Sequence, residues 1–98
     1  MYARVSTLQG PADKIDAGME KIRAEVQPEV EAISGFRGIL FLADRSSGRT
    51  VSVTLWESEQ AMQESRQAAD RIRQKAADAE SASIQAVDEY EVLVDERR

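Results

Sequence analysis

Four side chains at alternate positions in mid-chain hold most of the chemistry available to this protein: Thr50, Ser52, Thr54 and Trp56. Successive side chains of an extended segment point to opposite sides, so these four share one face. Small hydroxyls leading to the only tryptophan make a half-polar wall. Such a wall can stack a planar ring on the indole and orient its oxygen atoms without the desolvation cost of a buried charge. Three further residues are candidates. Tyr90 could present its hydroxyl to the same cavity, and Arg4 and Arg37 are strand cations able to bind an anionic substrate or oxyanion. The expected ligand-binding set is therefore Trp56, Ser52, Thr54, Tyr90, Arg37 and Arg4, with no residue assigned a catalytic role.

What is missing narrows the chemistry further. There is no histidine and no cysteine. That removes the Ser-His-Asp and Cys-His nucleophile systems, the commonest haem ligand and any thiolate metal site. Asparagine is absent as well. No Gly-rich loop opens a helix to cradle a phosphate, so the expectation is a colourless protein with no cofactor and no metal. Carboxylate-only binding of Mg²⁺ or Ca²⁺ has no support from Asp44, Glu57 and Asp88, which lack loop spacing. A formal charge of −5 argues against a nucleic-acid partner. No apolar run approaches the roughly 20 residues that span a bilayer, so no membrane partner is expected. Met1 to Arg4 opens a strand-like segment rather than a signal peptide, and the lack of cysteine is compatible with a cytoplasmic location.

The elements that must position these residues follow from periodicity. At 98 residues, with 42% hydrophobic and 32% charged side chains, the chain reads as one globular domain, 1–98, with a polar tail at about 95–98. Tyr2 to Leu8 alternates as a first strand. Ile15, Met19, Ile22 and Val26 recur at helical spacing, and Pro28 is expected to stop or kink that helix near Gln27. Val30 and Ile33 allow a short second helical piece. Two branched and aromatic runs, 34–43 and 50–58, flank turn chemistry at 44–49 and predict a hairpin. Ser58 is a natural N-cap for a helix carrying Met62, Ser65, Ala69, Ile72, Ala76 and Ala79. Arg66 and Asp70 lie at i,i+4 spacing there, and Arg73 and Glu80 belong to what reads as a solvated charged face. Ala82 to Val94 predicts a last strand, with Ile84, Ala86 and Tyr90 on one face.

Strand, helix, hairpin, helix, strand is the βαββαβ order of an α+β ferredoxin-like sandwich, a four-stranded antiparallel sheet with helices on one face. Val51, Val53 and Leu55 form an unbroken apolar face and are expected under the helices, turning Trp56 and the hydroxyls to the opposite sheet surface. Apolar residues on both faces predict a homodimer, its two sheets facing each other across an interior cavity.

Three segments also make the chain recognisable by type. Gly35-Phe36-Arg37-Gly38, then Asp44-Arg45 with Gly48, then Thr54-Leu55-Trp56-Glu57-Ser58-Glu59 resemble the antibiotic biosynthesis monooxygenase-like family of the dimeric α+β barrel superfamily. The helix break at Pro28 is similar too. The resemblance implies a cofactor-independent monooxygenase acting on a small aromatic or polyketide-like substrate beside Trp56. In such enzymes the deprotonated substrate supplies the electrons for dioxygen. Haem-degrading members use an Asn-Trp-His set, of which only the tryptophan is present here. Ser52 stands where quinone-forming members place a polar amide, and Met62 replaces a tyrosine of the following helix.

The alternative function is a non-catalytic dimeric ligand-binding or accessory protein of the same fold, which the missing His and Asn favour. Other ferredoxin-like activities fit less well. An RNA-recognition domain needs aromatics on its central strands and a basic face. An acylphosphatase-like site needs an anion cradle that Leu8-Gln9-Gly10-Pro11 does not supply. The Gly-x-x-Gly at 35–38 feeds a strand instead of joining two helices, unlike a KH loop.

Overall fold

The computed structural model describes all 98 residues. Strand β1 (Tyr2–Gln9) leads through a single 3-10 turn (Ala12–Lys14) into α1 (Ile15–Lys21). A π turn (Ile22–Val26) joins α1 to α2 (Gln27–Glu31). The hairpin β2 (Phe36–Asp44) and β3 (Arg49–Trp56) follows, then α3 (Glu59–Glu64), α4 (Arg66–Ala79) and β4 (Ser83–Glu91). All pairings are antiparallel and the sheet order is β2-β3-β1-β4. This is the ferredoxin-like α+β arrangement, with the two termini of the βαββαβ path on neighbouring strands β1 and β4.

Local chemistry explains the elements. Pro28 has no N–H to donate, and the helix accommodates this by widening rather than stopping: the Gln27 N–H bonds five residues back to the Ile22 carbonyl. The hairpin loop is held by the Asp44 carboxylate, which accepts from the Ser46 N–H at 2.9 Å. Gly48 closes it at φ +81°, and a Cβ there would meet the Gly10 carbonyl oxygen at 2.0 Å. The Ser58 hydroxyl accepts from the Ala61 N–H at 3.0 Å, capping α3 as its position suggests. The helical run after it is broken at Ser65 into α3 and α4.

One expectation about the sheet is reversed. Thr50, Ser52, Thr54 and Trp56 lie under the helices, while by register Val51, Val53 and Leu55 share the open face with Leu40 and Leu42 of β2 and Val5 of β1, Val51 also bordering the space beneath the helices. Trp56 is fully buried against Val30 and Met62. Polarity decides the orientation. The helices present Arg73 and Glu80 toward the sheet, and these need hydroxyl partners that the apolar face could not supply; Ser65, between α3 and α4, meets Arg4 of β1. The hydroxyls of Ser6 and Thr50 are such partners. The last strand is also read differently: a bulge opposite Thr7/Leu8 puts Ile84 on the helix side and Ala86 with Tyr90 on the open side.

Candidate functional site

A cavity lies between the sheet and the helices. It is therefore formed within one chain, not between two facing sheets. Its floor is built from alternate residues of the strands: Arg4, Ser6 and Leu8 of β1, Ile39 and Phe41 of β2, and Thr50, Ser52, Thr54 and Trp56 of β3. Its roof comes from the π turn, α2 and α4, with Ile22, Val26 and Ile72 forming one buried apolar cluster. Ile22 and Val26, at i,i+4 spacing in the π turn, both line the cavity. Mostly apolar walls with a few fixed polar groups are the usual make-up of a small-molecule site.

The indole of Trp56 is held on three sides. Its Nε1–H donates to the Thr54 hydroxyl at 3.0 Å. Phe36 meets it edge-on, with ring centroids 6.0 Å apart. The Arg4 guanidinium lies 5.6 Å from its centroid, within cation–π range. The N–H is thus engaged within the protein, and the ring itself is fully buried.

Arg4 is 3% exposed and occupied by the protein itself. It donates to the Glu89 carboxylate at 2.9 Å, to the Ser65 hydroxyl at 3.0 Å and to the Met62 carbonyl at 2.8 Å. Hydrogen bonding from Arg66, and secondarily from Arg4, holds the Glu89 carboxyl below its usual range against the opposing effect of burial. Arg66 therefore pairs with β4, and Asp70 pairs instead with Arg73 at 2.7 Å.

Sequence reasoning missed Arg73 and Glu80. Arg73 is only 9% exposed and lines the cavity. Its Nε donates to Ser6 and its Nη1 to Asp70, so the guanidinium is oriented while Nη2 makes no bond to the protein. Glu80 is 5% exposed; Oε2 accepts from the Thr50 hydroxyl at 3.2 Å, and Oε1 is buried with no partner. Burial pushes its carboxyl up, with the Thr50 hydrogen bond acting in the opposite direction. The signal was present in the helical spacing: Ile72, Ala76 and Glu80 form one i,i+4 row, and Arg73 stands four residues after Ala69.

Of the six expected residues, the cavity brings together Arg4, Ser52, Thr54 and Trp56. Arg37 and Tyr90 stand apart. Arg37 is the extra residue of a bulge between Phe36 and Gly38 and forms an exposed ion pair with Glu57 at 2.6 Å. Tyr90 is 55% exposed on the open sheet face, opposite Ala3. The lining offers no imidazole, thiolate, thioether or phenolate, the side chains that hold haem iron, so its donor set does not fit haem ligation. No group of three acidic side chains in the structure is arranged to hold a metal ion.

Comparison with known proteins gives consistent results at three levels. The profile described as antibiotic biosynthesis monooxygenase matches residues 1–77. An uncharacterised protein of Mycobacterium tuberculosis, Rv2557, is 35% identical over 92 residues, which is 94% of this chain and 41% of the relative. The chain thus spans under half the length of the curated relatives it matches. Among solved structures, the haem-degrading protein Rv3592 of Mycobacterium tuberculosis is 26% identical, with 98% of each chain covered and a TM-score of 0.64. The ActVA-Orf6 monooxygenase of Streptomyces coelicolor, in complex with nanaomycin D, is 23% identical, covering 90% of this chain and 81% of its own, with a TM-score of 0.61.

Proposed function

The chain belongs to the antibiotic biosynthesis monooxygenase family, and from that premise we propose that it binds a planar aromatic or polyketide-like molecule in the cavity beside Trp56 and oxygenates it without a cofactor. The observation that carries this reading is Arg73: a guanidinium on the cavity wall, oriented by Ser6 and Asp70, with one amino group that makes no bond to the protein. A phenolate or enolate oxygen is the natural occupant of that position. Holding it as the anion raises the electron density of the ring, which is what lets a substrate reduce dioxygen by itself. In the overall reaction a ring methylene becomes a carbonyl, one oxygen atom of O₂ is incorporated and the other leaves as water. The substrate supplies all the electrons. Ser52 and Thr54 orient the ring, and Ile22, Val26 and Ile72 exclude water from the reacting face.

Nanaomycin D bound to one relative and haem degraded by another are both polycyclic ligands, which supports a polycyclic ligand here. The absence of an axial ligand in this cavity favours the organic substrate over haem. In this reading the protein works as a homodimer through its open sheet face, and a cytoplasmic location agrees with a chain free of cysteine. The second reading, a binding protein without turnover, is favoured by the engagement of Arg4 and of the indole N–H within the protein.

An oxygen electrode separates the two. With a hydroxyanthrone as substrate, the oxygenase should consume one O₂ per anthraquinone formed, and Arg73→Met should lower the rate by about two orders of magnitude, the loss typical of one stabilising donor to an oxyanion. Binding of the anthrone with no oxygen uptake would leave only the non-catalytic reading.

A further inference from the structure

One charge interrupts the open face of the sheet. Asp88 of β4 stands in register with Val5 of β1, which pairs with Val53 of β3, which pairs with Leu40 of β2. Val5 lies between Arg4 and Ser6, whose side chains turn to the cavity, so this row of four points the other way. Asp88 is exposed, shares its side of β4 with Ala86 and Tyr90, and joins none of the ion pairs of the chain. The cations of the adjoining positions, Arg4 and Arg66, lie on the helix side and are held by Glu89.

The other charges near this face stand at its ends. Asp44 and Arg49 are opposite each other in register beside the hairpin loop. At the far end are the amino group of Met1 and the Arg37–Glu57 ion pair. Strand geometry sets them roughly 8–13 Å along the strands from the Asp88 row, and the nearest cation, Arg37, is held by Glu57. A second copy laid face to face on this one is related to it by a two-fold axis in the plane between the sheets. With the axis along the strands, Asp88 meets the partner's Leu40. With the axis across them through the middle of the face, Asp88 meets its own counterpart. Neither arrangement brings a free cation to it.

Size makes this one charge matter. Four strands about 4.8 Å apart, with about seven residues each at roughly 3.4 Å, present roughly 450 Å² to a partner. Two copies then bury roughly 900 Å², short of the roughly 1,200–2,000 Å² of a stable interface of standard size. An isologous contact repeats every feature, so each pairing desolvates two carboxylates with no cation between them, which opposes association.

We propose that Asp88 makes the pairing of two copies proton-linked: the sheets associate tightly when both Asp88 side chains are protonated and weakly when both are charged. The inference rests on the open face taking a second copy, and it names what regulates that contact. A neutral carboxyl can lie against Leu40 or share a hydrogen bond with its counterpart, whereas two carboxylates repel and stay hydrated. The chain has no histidine, so a proton-linked change between pH 5 and 7 comes from a carboxyl and not from an imidazole. Glu80, which burial also drives toward neutrality, lies beneath the helices within each copy, away from this face.

Fluorescence-detected sedimentation of dye-labelled protein, from sub-nanomolar to micromolar concentration at pH 5 and pH 7, tests this. The native Kd for dimerisation should be lower at pH 5 by about tenfold or more. Asp88→Asn, neutral at both, should give the same Kd at the two pH values, no weaker than the native value at pH 5. Equal native constants at both pH values overturn the role of Asp88 while leaving the dimer, and are read without any variant. A pH dependence that persists unchanged in Asp88→Asn also overturns it. So does a native dimer that stays whole at pH 7 down to the lowest concentration, because the charges then do not limit pairing. A native protein that sediments as a monomer at both pH values overturns this inference together with the dimer on which it rests.

Discussion

At the scale of single residues, the cavity contrasts two buried charges. Arg4 is satisfied on all sides by Glu89, Ser65 and Met62, and its worth is structural. Glu80 is half-satisfied. Burial raises its pKa above the ordinary 4.5, so the folded state keeps the proton to higher pH than the unfolded chain. Its contribution to stability is fully present below about 4.5 and is lost as pH rises through the folded value. Glu89 has the opposite sign: its pKa is lowered, so its contribution is present above 4.5 and lost as pH falls through the folded value. Glu80→Gln cannot ionise and should therefore gain on the native protein as pH rises. The Tm of Glu80→Gln relative to that of the native protein should therefore be higher at pH 8 than at pH 4. Differential scanning calorimetry at both pH values checks this; the same difference at both would mean that the carboxyl is not paying for its burial.

At the scale of elements, irregularities place the functional groups. The π turn presents Ile22 and Val26 to the cavity, a bulge carries Arg37 out of it, and another divides β4 between the two sheet faces. The hairpin loop is the tightest of these devices. Gly48 combines a left-handed φ of +81° with a backbone approach that leaves no room for a methyl group, and the Gly10 N–H donates to its carbonyl at 3.2 Å. This joins the hairpin to the end of β1, beside the Glu80 end of the cavity. Gly48→Ala should cost at least the roughly 1–3 kcal/mol of a strained backbone position, read as a lower urea midpoint at unchanged m-value. A midpoint equal to that of the native protein would show that the loop can relax away from β1 without loss.

At the scale of the molecule, the open sheet face is the outstanding feature. Leu40, Leu42 and Tyr90 are each more than half exposed, and Val51, Val53 and Leu55 are only partly covered. An apolar sheet face of this kind is uncommon on a monomer and marks an interface. No helix of the chain is long and apolar enough to cross a membrane. A second copy is the occupant we propose, face to face through the sheet. Light scattering at micromolar concentration should give twice the chain mass, and Leu42→Glu should halve it while leaving the circular dichroism of the fold intact. A native protein that scatters as a monomer would remove the dimer from the proposed function.

The order of elements, their approximate limits, the Ser58 cap, the hairpin and the family resemblance were all legible in the sequence. Each depends on local periodicity, backbone-compatible residues or short motifs, which near neighbours in the chain determine. The alternation in β3 likewise showed which residues share a face. It did not show which face the helices would cover, because both faces carry enough apolar surface to be buried. That choice was made by partners distant in sequence: Arg73 with Ser6, Glu80 with Thr50, and Arg4 with Ser65 and Met62. The same long-range pairing turned Arg73 and Glu80 from members of a charged helix surface into cavity residues. A helical row shows which side chains travel together, but only packing against the sheet decides whether that row meets water or the interior.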